Sequence, residues 1–214
     1  MPDTHSSSFD YHYVCILILT EQHKWHRRHW KGNHVSDFDK GYILVTGLEG
    51  VYQSAQQAAF RKDSGGETYR GIARKKEPNW DGWKIIDLAK LGSNFPDCLD
   101  ANQALQDSAK NFYQLNYWDM VKADQMPFPL NVFVFDAGVN QGTQAAIKLL
   151  QKTLNQPQDG IIGMQTIAKA QAANTETMAL YMADRSLRYT GTRNFDLDGR
   201  GWLKRLFLIT MEVK

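Results

Sequence analysis

Histidine vanishes from this chain after residue 34. All six (His5, His12, His23, His26, His29 and His34) precede Val35, and none follows through Lys214. From Val35 onward this excludes Ser/His/Asp and Cys/His nucleophile systems and histidine-ligated zinc hydrolysis. Amidase and endopeptidase chemistries that need such groups are excluded with them. Any catalysis in that part rests mostly on carboxylates. Cysteine is scarce too: Cys15 and Cys98 are too few for a disulfide framework. No apolar run reaches the roughly 18 residues of a membrane span. The best N-terminal candidate, "YVCILIL", is short and follows His and Asp rather than a basic stretch, so no standard signal peptide is expected. The formal net charge of +2 is too small to argue for nucleic acid, and no basic, aromatic-interleaved stripe is present.

What is there suffices for one sizeable domain: 214 residues, 43% of them hydrophobic. The segment "EQHKWHRRHWKGNH" looks unlike anything downstream, so residues 1–34 read as a separate N-terminal extension. One reading makes Val35 the true start, since a GUG codon is Val when internal and Met when initiating. Finding residues before position 35 by N-terminal sequencing of the natively expressed protein would refute it. The rival reading is a metal site on His23, His26 and His29. Every-third-residue spacing smears around a helix, and no Cys or carboxylate cluster completes it. No metal and no cofactor is therefore expected.

Ser36 followed by Asp39 resembles a capping box and opens a helix expected to run to about Gln53. Gly65-Gly66 forces a turn, and a short hairpin is expected around Glu67–Ala73. Helical patterns follow over Asp81–Leu91 and from about Asp97 to Lys122. After Pro127 and Pro129, "LNVFVFDAGVNQG" is apolar enough for a strand or a buried helix. Its helical neighbours favour the helix. "TQAAIKLLQKTLN", "GMQTIAKAQAAN", "TETMALYMADRSLRYTG" and "GWLKRLFLITMEV" read as four more, with Asp159 and Thr166 shaping a loop-to-helix turn. The expected fold is mainly α, with a small β-hairpin beside the first helix.

Glu49 is out of place in that first helix. On a wheel of roughly 100° per residue starting at Phe38, Tyr42 falls near +40°, Val45 near −20°, Glu49 near +20° and Tyr52 near −40°. Glu49 thus sits amid an apolar stripe and in the last turn, where unsatisfied carbonyls make the field negative. Desolvation and that field both raise a carboxyl pKa. A carboxylic acid protonated near neutral pH is what a general acid requires. The plainer alternative is a glutamate that snorkels out or pairs with Arg61, Arg70 or Arg74.

The next segment favours the acid. Glu49-Gly50-Val51-Tyr52, followed by Gly65-Gly66-Glu67-Thr68-Tyr69-Arg70-Gly71-Ile72, resembles the phage and prophage N-acetylmuramidases of glycoside hydrolase family 108. Their hallmark is Glu-Gly-Gly-Tyr and then Gly-Gly-x-Thr-x-x-Gly-Ile/Val. Val51 departs from that pattern and leaves Glu49 in place. "FDAGVNQGTQAAIKLLQ", "DGIIGMQTIAKA" and "GRGWLKRL" are similar to the family's C-terminal helical region, itself like a peptidoglycan-binding module. The likeness covers roughly residues 36–210. It implies a lysozyme-like catalytic region over 35–126 and a helical module over 127–214 packed on it.

The resemblance implies hydrolysis of the β-1,4 bond between N-acetylmuramic acid and N-acetylglucosamine in bacterial peptidoglycan. Glu49 would protonate the leaving oxygen, with Asp63 and Thr68 holding the attacking water. Glu67 is the competing carboxylate. Carboxyl separations of about 5–5.5 Å mark retaining enzymes and about 6.5–9.5 Å inverting ones, and analogy favours inversion. Tyr52, Tyr69, Trp80 and Trp83 are candidates to stack on sugars, though core packing is the commoner use of such residues. Asp136 reads as a cap or a substrate contact, and Asn140 as a hydrogen-bond partner for an acetamido group. Asp63 beside Ser64-Gly65 is also ordinary turn composition, and Thr68 also suits a strand. An endolysin of this kind would wait in the cytoplasm for holin-dependent release to the cell wall. The alternatives are a lytic transglycosylase, which needs one catalytic acid, and a non-catalytic peptidoglycan-binding or phage structural protein.

Overall fold

The computed structural model describes residues 35–47, 51–60 and 65–213. The N-terminal histidines, Glu49, Arg61 and Asp63 lie outside the described residues. Ser36–Lys214 forms one compact unit. It is mainly α, a lysozyme-like helical body with a small antiparallel sheet.

Helix α1 spans Asp37–Gly47. Ser36 starts it as expected: its Oγ accepts from the Asp39 amide at 3.1 Å and donates to the Asp39 carboxylate at 2.9 Å. The helix stops earlier than its pattern suggests, because Tyr52–Gln53 is strand β1. Tyr52 therefore leaves the helical stripe, and cross-strand pairing overrides the wheel. A short helix α2 follows over Ala55–Phe60, unforeseen in the sequence. Strands β2 (Thr68–Tyr69) and β3 (Ile72–Ala73) make the expected hairpin, and the sheet order is β1-β2-β3.

Helix α3 covers Gly82–Ala89. The single long helix expected over 97–122 is broken into pieces. A 3-10 turn at Asp97–Leu99 comes first, then α4 at Gln103–Tyr113, then one π-helical stretch at Gln114–Trp118. Asn102 resets the start, because its side chain accepts from the Leu105 amide at 3.0 Å as an N-cap. The chain leaves helical geometry at Lys122, whose φ is 51°. Trp118 is buried and donates Nε1–H to Asp124 at 2.8 Å.

Helix α5, Leu130–Gln141, is the axis of the unit, and every residue from Leu130 to Gly138 is buried. That enclosure explains an apolar run with no polar face. Helix α1 runs alongside in the same direction: Asn131 donates to Asp37 at 3.1 Å, and Gly41 faces Phe135. Phe38, Trp118 and Phe135 meet edge-on between them, with ring centroids 5.4 to 6.0 Å apart.

Helices α6 (Thr143–Thr153), α7 (Met164–Gln171), α8 (Thr175–Thr190) and α9 (Phe195–Glu212) complete the body. Asn174 and Thr177 form a reciprocal capping box at the start of α8. Asp159 shapes its loop as expected, accepting from Gln151 at 2.6 Å and from the Ile161 amide at 2.8 Å. Among the described residues no helix is long and apolar enough to cross a membrane.

Candidate active site

The local logic begins at a two-residue hairpin turn. Arg70 and Gly71 both have positive φ, 45° and 83°, the combination a tight hairpin of the natural twist demands. It sets the register: Tyr69 opposite Ile72 and Thr68 opposite Ala73. One step further the Arg74 amide donates to the Glu67 carbonyl at 2.8 Å, so these two side chains are also neighbours. On the other edge Tyr52 faces Tyr69 and Gln53 faces Thr68. The Arg70 amide donates to the Val51 carbonyl at 2.8 Å, tethering the chain two residues after Glu49.

Side chains alternate between the faces of a strand. Tyr52, Glu67, Tyr69 and Arg74 share one face, and Gln53, Thr68 and Ala73 the other. The first face is covered. Tyr69 is fully buried, stacked on Trp80 at 6.0 Å between centroids, and its hydroxyl accepts from Gln106 at 2.8 Å. Trp83 is buried as well, with its Nε1–H on the Glu77 carbonyl at 2.7 Å. These two rings serve the core and offer no face to a sugar. Trp80 is half-buried between Tyr69, Trp83 and Phe112.

Glu67 lies at the centre of a charge cluster on that covered face. It is 8% exposed. Its carboxylate receives the Tyr52 hydroxyl at 2.8 Å, Arg74 Nε at 2.8 Å and Lys90 Nζ at 2.7 Å. Both cations also hold Asp87 on α3, Arg74 at 2.7 Å and Lys90 at 2.9 Å. Arg74 and Lys90, through those hydrogen bonds, lower the Asp87 carboxyl to about 2. Burial, and then the hydrogen bond to Glu67, raise the Tyr52 phenol above its ordinary value. The sequence offers Arg74 as a partner for Glu49, whereas the structure places it on Glu67, and it does not single out Asp87 or Lys90. The hairpin register carried the signal for Arg74, and i, i+3 spacing that for Asp87–Lys90.

The opposite face is less enclosed. Thr68 is half-buried there, and its hydroxyl donates to the Gly66 carbonyl at 3.0 Å. Gly66 takes φ 71°, a left-handed turn that suits glycine. Glu67 and Thr68 therefore point to opposite faces, and the two cannot line one cleft from the same side of the sheet.

The remaining candidates sit on α5, away from the sheet. Asp136 is fully buried, and its oxygens accept from Arg185 Nη2 at 2.6 Å and Arg205 Nε at 2.9 Å. Burial opposes its charge, but the two guanidiniums outweigh it and hold the carboxyl below the ordinary range. No sugar reaches it in this arrangement. Asn140 is exposed at the end of the same helix, and its Oδ1 accepts from the Tyr189 hydroxyl. That contact engages the carbonyl oxygen of the side chain and not its NH2. Tyr189 in turn stacks on the half-buried Trp202 at 5.1 Å. Among the described residues no group of three His, Cys, Asp or Glu is placed to hold a metal ion.

Residues 44–142 match the family model of glycosyl hydrolase 108. That stretch belongs to the glycosyl hydrolase 108 family. It runs from α1 through the sheet to the end of α5 and contains Glu49, Asp63, Thr68 and Asn140. The chemistry is accordingly that of a glycoside hydrolase. The fold is also similar to the solved structure of SagA from Brucella abortus, with a TM-score of 0.62 and 25% identity. That match covers 82% of this chain and 92% of the other. No curated protein matches the chain. Arg185 and Arg205, the partners of Asp136, lie beyond the glycosyl hydrolase 108 stretch, so that stretch does not by itself neutralise its buried carboxylate.

Proposed function

We propose that this chain is a peptidoglycan hydrolase of lysozyme type, cleaving the β-1,4 bond between N-acetylmuramic acid and N-acetylglucosamine. The observation that carries the reading is the glycosyl hydrolase 108 match across Glu49, Asp63 and Thr68. In this reading Glu49 is the general acid that protonates the leaving glycosidic oxygen. Asp63 takes a proton from the attacking water, and the Thr68 hydroxyl orients it. The sheet geometry supports this division: Thr68 stands on the less enclosed face, while Glu67 is surrounded by donors on the other. Asn140 offers its side-chain NH2 to an acetamido oxygen. Action on the cell wall, with holin-dependent release from a phage or prophage host, completes the reading.

The test is digestion of purified peptidoglycan by the wild type and by Glu49→Gln, with mass spectrometry of the new ends. Reducing muramic acid ends from the wild type, lost in the variant, are the expected result. Loss of a general acid costs about a hundredfold to ten-thousandfold in rate. Anhydro-muramic ends would instead make the protein a lytic transglycosylase. Binding to sacculi without cleavage would make it a binding module.

A further inference from the structure

One buried carboxylate has no task in the proposed chemistry. We infer that Glu67 is a positioning residue: through Tyr52 it fixes the strand that leads out of Glu49. The inference rests on the lysozyme reading for the role of Glu49. The clamp itself rests on geometry alone.

Three groups, one hydroxyl and two cations, converge on Glu67 from three segments. Arg74 comes from the outgoing side of the hairpin, Lys90 follows α3, and Tyr52 belongs to β1. Arg74 and Lys90 are themselves braced by Asp87, so the carboxylate is anchored to α3 before it meets Tyr52. Tyr52 connects this anchor to the segment bearing Glu49. Its ring packs edge-on against Phe95 at 5.0 Å, which fixes the side chain from the other direction. The Arg70 amide on the Val51 carbonyl is a second tether one residue earlier. Only three peptide steps separate Tyr52 from Glu49, at most about 11 Å of extended chain. Displacing Tyr52 therefore displaces the general acid, and an error of about 1 Å in such a group costs up to about a hundredfold in rate. With the Tyr52 hydroxyl and two cations against its two oxygens, Glu67 is committed to structure and is not placed to take a proton from water.

The experiment compares Tyr52→Phe, Glu67→Ala, Glu67→Gln and the Tyr52→Phe/Glu67→Ala double variant. Soluble glycan strands give kcat and KM, and hydrogen exchange is read over residues 44–53. Tyr52→Phe and Glu67→Ala should each lower kcat by about tenfold, within the range expected of misplacement, with KM little changed. The double variant should lose no more than the worse single, because both remove one interaction. Glu67→Gln keeps an oxygen for the Tyr52 hydroxyl and should retain more activity than Glu67→Ala. Exchange over 44–53 should rise in Tyr52→Phe and Glu67→Ala. If Glu67→Gln is as inactive as Glu67→Ala while Tyr52→Phe matches the wild type, Glu67 acts on the reactants and the inference is wrong. Unchanged kcat and exchange in both single variants would also overturn it. Should Glu67→Ala not fold, Tyr52→Phe carries the test. Should the wild type release no reducing ends, the lysozyme reading fails, and exchange over 44–53 still tests the clamp.

Discussion

Arg185 on α8 donates to Asp136 on α5 at 2.6 Å, and neither side chain has any exposed surface. Arg205 on α9 closes on the other oxygen at 2.8 Å. A buried charge is tolerated when paired and hydrogen-bonded, and removing one partner strands the rest.

Asp136→Asn should therefore destabilise the protein by about 3–5 kcal/mol, the usual cost of breaking a buried ion pair. Urea unfolding of the two proteins measures it. The pair also sets an acid limit. The folded carboxyl lies below the ordinary value of 3.8, so its contribution is complete above that value. It is lost as pH falls through the folded value. Wild-type stability should drop in that acid window, and Asp136→Asn should show less of the drop. An identical acid dependence in both proteins would contradict this.

Tyr42 presents the opposite case. Among the described residues its hydroxyl is buried without a hydrogen-bond partner, and burial pushes its pKa up to about 12. Phenylalanine keeps the ring and removes the unsatisfied group. Tyr42→Phe should raise stability by about 1 kcal/mol, seen as a higher Tm. A lower Tm would mean that the hydroxyl has a partner in solution.

Gly41 lies on the face that α1 packs against α5. A Cβ there would lie 3.2 Å from Phe135 Cδ1 and 3.4 Å from Trp118 Cζ3. Gly41→Val should cost about 1–3 kcal/mol by overpacking. Adding Phe135→Leu should return part of that loss, which a double-mutant cycle in denaturant would show.

Asn140 and Asp136 share a helix but differ in access, and kinetics should separate them. Asn140→Ala removes an exposed group and the acceptor of the Tyr189 hydroxyl, so Tm should fall, but by less than in Asp136→Asn. In the proposed reading it raises KM by about fivefold, the loss of one hydrogen bond of about 1 kcal/mol. An unchanged KM would remove Asn140 from the substrate site.

The hairpin was legible in advance because its information is local. Gly66, Arg70 and Gly71 take positive φ, and a two-residue turn sets every pairing that follows. The Glu67–Arg74 contact was within reach by the same arithmetic, since only the register had to be extended by one step. Tyr52 was misplaced because helix periodicity continued through it, while pairing with Tyr69 drew it into the sheet. The expected 97–122 helix failed similarly: Asn102 offers a cap, and a hydrophobic pattern cannot tell one helix from two.

From its residues alone the chain determined its helical character, the start of α1, the tight hairpin and the exclusion of histidine catalysis after Val35. Each follows from short-range sterics, capping or the presence of a functional group. Tertiary structure alone decided what the acidic residues do. Asp136 met guanidiniums 49 and 69 residues away, and Lys90, just after α3, brought the second cation to Glu67. A carboxylate's role depends on which donors reach it, and that is set by packing between segments whose separation along the chain carries no local signal.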